Sequence, residues 1–376
     1  MRRPTPLLVL VLASACAPQP APAPPLELAV GDTGRAEVTR GAVGLAELQA
    51  AVLLDGVEHR IEAAPGPTTD VSDALGAARE TRVEAQAAGL QLVLSLRQYE
   101  HFVTARVSVS CPGVCPAARI EGFIFGARLL SSGGDTTALV NGYGSWAPTY
   151  WARVQKGGEP EAAWELTGRD GDHLVSDARV SWWLGALAAD GHTLVAGALT
   201  AGTWKTRALT VRESGVRLKL KSGADGDGLP AEAGGVHSET YFFAVDEGPS
   251  RALSRWSESV AALNPPPGEP FVPVGWNSWN TLFEGVSEAR ALANADALLA
   301  LRALRPNTVQ LDDGWQLAWG EWAPNARFPS GLTGLSSALG AKGLHTGLWM
   351  APFLVERTAP AAVMHPRLVR ARRGRR

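Results

Sequence analysis

Residues 308–315 read TVQLDDGW, and the fold follows from them. Thr308–Leu311 is a short uncharged run, too brief for a helix and stopped by Asp313-Gly314, so it predicts a buried strand that delivers two adjacent carboxylates, Asp312 and Asp313, at its C-terminal end. On the N-terminal side, FVPVGW at 271–276 predicts another short apolar strand, and Ser287–Leu304 predicts a helix capped by Ser287. On the C-terminal side, Leu332–Lys342 predicts a second helix and Leu344–Ala351 a third strand. Strand-helix alternation of this kind calls for a parallel sheet with right-handed crossovers.

In a (β/α)₈, or TIM, barrel the chemistry sits where strands end and the following loops begin. The unusual residues of this stretch fall at those places. Asn277–Trp279 follow the first strand, Asp312 and Asp313 the second, and Trp349 lies near the end of the third.

Residues 26–246 follow another rule. Leu90, Leu92, Leu94 and Leu96 alternate with polar neighbours, as do Val103, Ala105, Val107 and Val109, and again Val216, Leu218 and Leu220. Period two with one polar side means half-buried strands. Many such strands separated by Gly, Pro and Asp turns predict an antiparallel β-sandwich. The loop Asn141–Trp146, NGYGSW, is either a plain turn or an aromatic binding rim. Residues 247–267 form a boundary: Leu253, Trp256, Val260 and Leu263 repeat at helical spacing, and Pro265-Pro266-Pro267 closes the segment. The whole is expected to be a multidomain β plus α/β chain, the sandwich followed by the first three βα units of an incomplete TIM barrel at 268–376.

The start of the chain is an address. Arg2 and Arg3, the apolar run Leu7–Leu12 and the small residues Ala13-Ser14-Ala15 make residues 1–15 a secretory signal. Cys16 then stands where a bacterial lipoprotein is lipidated, although Ala13 replaces the usual leucine, and simple secretion uses the same cleavage point. The Pro/Ala-rich 16–25 would serve as an extended tether. The expected location is the cell envelope through a lipid anchor, or otherwise the periplasm or the medium. After export, Cys111 and Cys115 are expected to close a small disulfide loop.

With 35 Lys and Arg against 37 Asp and Glu, the net charge of -2 provides no field to draw in nucleic acid. A neutral partner fits better. Thirteen tryptophans favour one with apolar faces and hydroxyls, because an indole stacks on the first and donates to the second. Asp312 and Asp313 repel each other and lose solvation at a strand end, which hydroxyl donors would offset. A turn with a cap, or a divalent metal, are the other readings. The seven histidines complete no ligand cluster, so neither a metal nor a cofactor is expected.

GWNSW at 275–279, VQLDDGW at 309–315, GEW at 320–322 with RFPSGL at 327–332, and GLWMAPFLVE at 347–356 with His365-Pro366 together resemble the melibiase-type α-galactosidases. The resemblance is strong over about residues 270–370, and NGYGSW resembles that family's N-terminal loop. It implies a retaining glycoside hydrolase with Asp312 and Asp313 on the 4- and 6-hydroxyls of a terminal α-galactose of an oligosaccharide. Trp279 and Trp349 would line the site, with Trp146 added from the sandwich. Oligomers are common in the family. Glu321 replaces its usual aspartate.

The family's nucleophile lies in a Lys-x-Asp motif, and this sequence contains none; no carboxylate follows Glu356. No catalytic residue is therefore carried over. Arg367, Arg370, Arg372, Arg373, Arg375 and Arg376 crowd the end, as a shifted reading frame or an incomplete gene would produce. Three strands do not close a barrel, so the activity of this truncated chain is in doubt. A glycan-binding surface lipoprotein, or a non-functional fragment, is the alternative.

Overall fold

The computed structural model describes residues 24–40, 43–130, 135–142, 149–154, 180–212, 216–223, 228–231, 235–265, 268 and 271–366. The signal, Cys16, most of the tether, Trp146 and the terminal arginines lie outside the described residues. Contacts divide the chain into two units, 1–266 and 267–376.

The first unit holds two large antiparallel sheets. The nine-stranded one runs in space through Leu26–Val30, Ala36–Arg40, Val43–Leu54, Arg119–Leu129, Val216–Ser222, Thr206–Arg212 and Val180–Trp182, with two short strands paired alongside. The ten-stranded one centres on His192–Ala198, Tyr241–Glu247, Val103–Ser110, Leu90–Gln98 and Gly76–Ala87. The alternation of the sequence appears directly as burial: Leu90, Leu92, Leu94 and Leu96 are inside, and the residues between them are only half covered. Their side chains join Val52, Phe123, Phe125, Leu218 and Leu220 of the other sheet in a single apolar cluster. Each such leucine contributes about 1.5–3 kcal/mol relative to exposure, so this cluster is the main source of stability in the unit. Cys111 and Cys115, just past the strand Val103–Ser110, are disulfide-bonded with Cα atoms 5.2 Å apart.

The boundary helix is Pro249–Leu263, and it belongs with these sheets rather than standing apart as a linker. Pro249 opens it behind Gly248. Trp256 Nε1 donates to Ala198 O at 3.3 Å, and Asn264 Nδ2 to Leu199 O at 2.9 Å. Arg255 Nε meets the buried Asp246 carboxylate at 2.9 Å. No helix among the described residues is long and apolar enough to cross a membrane.

The second unit contains three parallel strands in the order Gly275–Asn277, Thr308–Leu311, His345–Leu348. Helices Glu288–Ala300 and Gly331–Gly340 form the two crossovers, and Ala291, Ala295, Leu298, Leu335 and Leu339 share a core with Val309, Leu311 and Trp315. Ser287 caps the first helix, accepting from Arg290 N at 3.4 Å. Gly275 lies so close to its neighbour that a Cβ there would sit 1.7 Å from Thr308 O.

Four boundaries differ from expectation, the smallest difference being the second helix, expected over Leu332–Lys342 and found at Gly331–Gly340. The first strand is not Phe271–Trp276. Pro273 has no N–H for a ladder, Phe271 and Val272 stay exposed, and the side chain of Asn307 takes Val274 N and Val272 O. The helix predicted to reach Leu304 stops at Ala300, because Leu301 and Leu304 find no core, and a 3₁₀ turn, Arg302–Leu304, follows before Pro306. The third strand covers only His345–Leu348, and a helix, Pro360–Met364, follows it. Between the second strand and its crossover helix lies a hairpin the pattern did not suggest, Gln316–Ala318 with Glu321–Pro324.

Candidate substrate site

The site is assembled at the C-terminal ends of the parallel strands. Asn277 ends the first of them, and its side chain faces two ways. Nδ2 donates to Asp312 Oδ2 at 2.9 Å, and Oδ1 accepts from Trp279 N at 2.7 Å. Buried Ser278 accepts from Asp312 N at 2.9 Å, while its own N–H donates to Gln310 O. The first two strands are thus cross-tied by side chains where their ladder ends, and Asp312 has one orientation.

Asp312 Oδ1 also accepts from the backbone N–H of Asp313 at 2.9 Å. Asp313 is buried, 8% exposed. Its Oδ1 accepts from Gln316 Nε2 at 2.5 Å, and the indole N–H of Trp319 lies 3.2 Å from both carboxylate oxygens. A burial that would be costly for an unpartnered carboxylate is offset by these donors. An ionised carboxylate has about four lone-pair sites. Counting those donors leaves roughly two free on Asp312 and one on Asp313, which is room for hydroxyls at both.

Around the acids stands an aromatic wall. Trp349 N donates to Leu311 O at 2.8 Å, and its carbonyl accepts from Trp315 Nε1 at 2.9 Å, so the residue is pinned at the end of the third strand. Its ring centroid lies 6.3 Å from those of both Trp319 and Trp322. Trp279 N donates to Asn277 Oδ1, which links it to Asp312, and its ring packs edge-on against Phe283 at 5.3 Å. The structure therefore brings Asp312, Asp313 and Trp349 into one neighbourhood and holds Trp279 at its margin; Trp146 lies outside the described residues.

Sequence reasoning missed Gln316, Trp319 and Glu356. Glu356 Oε1 accepts from Trp319 N at 3.1 Å, and Glu356 N donates back to Trp319 O at 2.9 Å. The available signal was a tryptophan next to Gly320, a tight-turn pair six residues after an acid. Glu321 is half-buried in the hairpin. Among the described residues no group of three or more His, Cys, Asp or Glu side chains gathers.

The proteins this chain is similar to are glycoside hydrolases, and among these the similarity is to α-galactosidases. An α-galactosidase of Oryza sativa subsp. japonica is 37% identical over 83 residues, which is 20% of this chain and 20% of that protein. A probable α-galactosidase B of Talaromyces emersonii is 33% identical over 100 residues, 24% of this chain and 22% of that one. The GH36 α-galactosidase AgaA of Geobacillus stearothermophilus superposes with a TM-score of 0.56 at 15% identity, over 84% of this chain and 47% of that one. A variant of AgaA in complex with stachyose gives a TM-score of 0.55 at 15% identity, over the same shares of the two chains. These superpositions show a shared fold. No family model matches. The chain spans about a fifth of the length of the curated relatives it matches and just under half of these solved chains.

Proposed function

We propose that this chain carries the sugar-holding part of an α-galactoside hydrolase, with its two sheets as the N-terminal sandwich and its parallel strands as the first three βα units of a TIM barrel. The observation that carries this is the pair Asp312 and Asp313, each oriented by donors that leave lone pairs free. Asp312 and Asp313 accept the 4- and 6-hydroxyls of a terminal α-galactosyl group, and Trp349 and Trp279 cover its apolar face. Retaining hydrolysis needs two further carboxyl groups about 5–5.5 Å apart. Glu356 is already committed to Trp319, and neither it nor Glu321 is assigned to that work. The stachyose bound by the AgaA variant makes galactosyl oligosaccharides the substrate class to test first. Export, with Cys16 as the lipid anchor, and assembly into oligomers belong to the same proposal.

The same pair of carboxylates would equally serve a surface protein that binds glycans without cleaving them, which is the second reading. Titration calorimetry of the full chain with galactose and with glucose, its 4-epimer, tests both readings together. Galactose should bind and glucose should not. Asp312→Asn should weaken binding by about tenfold or more, the value of a hydrogen bond to a charged group, and Asp313→Asn by less, since it has fewer free lone pairs. Equal binding of the two sugars, or none, would overturn the proposal. Release of p-nitrophenol from the α-galactoside separates hydrolysis from binding alone.

A further inference from the structure

Asp313 does not set its own orientation. Its two oxygens share the Trp319 indole N–H, and Trp319 stands at the tip of a two-stranded hairpin, a place that is ordinarily mobile. What fixes this tip is a segment about thirty-five residues further along the chain. Glu356 exchanges two hydrogen bonds with the backbone of Trp319, one of them from an N–H to a carboxylate. Beside it, Val355 packs so tightly on Gly320 that a Cβ there would lie 2.6 Å from Val355 Cγ2. Gly320 has φ 88°, so the tip is both shaped for glycine and filled by its neighbour.

From this we infer that Glu356 is a positioning residue for Asp313, acting through Trp319. The inference rests on the sugar-binding role given above to Asp313. Glu356 holds the Trp319 backbone, the backbone aims the indole, and the indole, together with Gln316 Nε2 on Oδ1, sets the plane of the carboxylate. Donation to both oxygens also leaves Asp313 a single lone pair to offer. The clamp therefore determines which hydroxyl Asp313 can accept, and Asp312, tied to Asn277 on a different strand, does not depend on it.

The test has two readouts on the full chain. In the first, the indole N–H signals of ¹⁵N-tryptophan-labelled protein are recorded, with Trp319→Phe identifying the relevant one by its loss. Asp313→Asn should shift that signal. Glu356→Ala should shift it as well and speed its exchange with water by about fivefold, whereas Glu356→Gln, which keeps an acceptor, should restore it. The buried Trp315 signal should stay in place throughout and distinguishes loss of the clamp from unfolding. In the second, Glu356→Ala should weaken galactose binding roughly fivefold in the parent chain, less than about twofold in Asp313→Asn, and again about fivefold in Asp312→Asn.

An unchanged Trp319 signal in Glu356→Ala overturns the inference. So does an equal loss of affinity in all three backgrounds, which would indicate a merely structural role. If the indole responds as expected but no galactose binds to the parent chain, the functional reading fails while the coupling of Glu356 to Asp313 stands.

Discussion

Replacing Gly314 by alanine strikes the turn that carries both carboxylates. Gly314 has φ 109°, a conformation that side chains rarely adopt. A Cβ would lie 2.5 Å from Glu284 Cα and 2.6 Å from Glu284 O, and neither atom can swing away as a side chain would. The backbone strain costs about 1–3 kcal/mol, and forcing an extra carbon into packed backbone costs about 1–3 kcal/mol more. Gly314→Ala should therefore destabilise the second unit by roughly 2–6 kcal/mol. Gly343 supplies the control, since it has φ 77° and nothing within 4 Å of its missing Cβ. Gly343→Ala carries the strain alone, about 1–3 kcal/mol. Urea unfolding followed by tryptophan fluorescence, with Trp315 buried in this core, measures both. The midpoint should fall without a change in slope. A loss in Gly314→Ala no larger than that in Gly343→Ala would show that the backbone of Glu284 yields freely, and the steric reasoning would be wrong.

Two further predictions concern the first unit. Burial pushes the carboxyls of Glu80 and Asp73 up, but hydrogen bonds outweigh it, from Ser95 and Arg97 to the first and from Tyr99, Leu75 N and Arg97 to the second; with the Arg97 charge they hold both below the usual carboxylate range. Carboxyls depressed in this way stabilise the fold above their unfolded values near pH 4, and the contribution is lost as pH falls through the lower folded values. Arg97→Gln should thus cost more stability at about pH 6 than at about pH 3 by urea midpoints, and a cost independent of pH would count against the network. Burial, and then the charge of Arg106, lowers the pKa of His237. Arg106→Gln should raise it part of the way back in an NMR titration, and no movement would assign the whole effect to burial.

Much of the fold could be read from local pattern because it is locally determined. Leu90–Leu96 alternate in the sequence and alternate in burial, and Ser287 caps its helix where a serine before an amphipathic run should. The acids fell at a strand end because a four-residue run closed by Asp-Gly has few other outcomes. Ends of elements were less legible. Whether a helix continues past Ala300 depends on whether Leu301 and Leu304 meet a core, and that is a tertiary fact. The supporting shell of the site was hidden for the same reason. Gln316 reads as an ordinary polar residue until a hairpin turns it onto Asp313, and Glu356 becomes significant only when the chain brings it back to Trp319. Asn277 lies between, visible as part of GWNSW but without its link to Asp312.

The docking of the Pro249–Leu263 helix has a consequence for how such genes can be reassembled. Trp256 and Asn264 attach that helix to Ala198 and Leu199, encoded well upstream, and Arg255 ties it to Asp246 on the strand just before it. A recombination break placed before Gly248 would strand the helix on the wrong piece, exposing Trp256 and leaving the buried Asp246 without Arg255. A break at the three prolines would carry the helix away with its sheets and leave the parallel strands their own core. The prolines are thus the seam at which either unit could be exchanged for another between lineages.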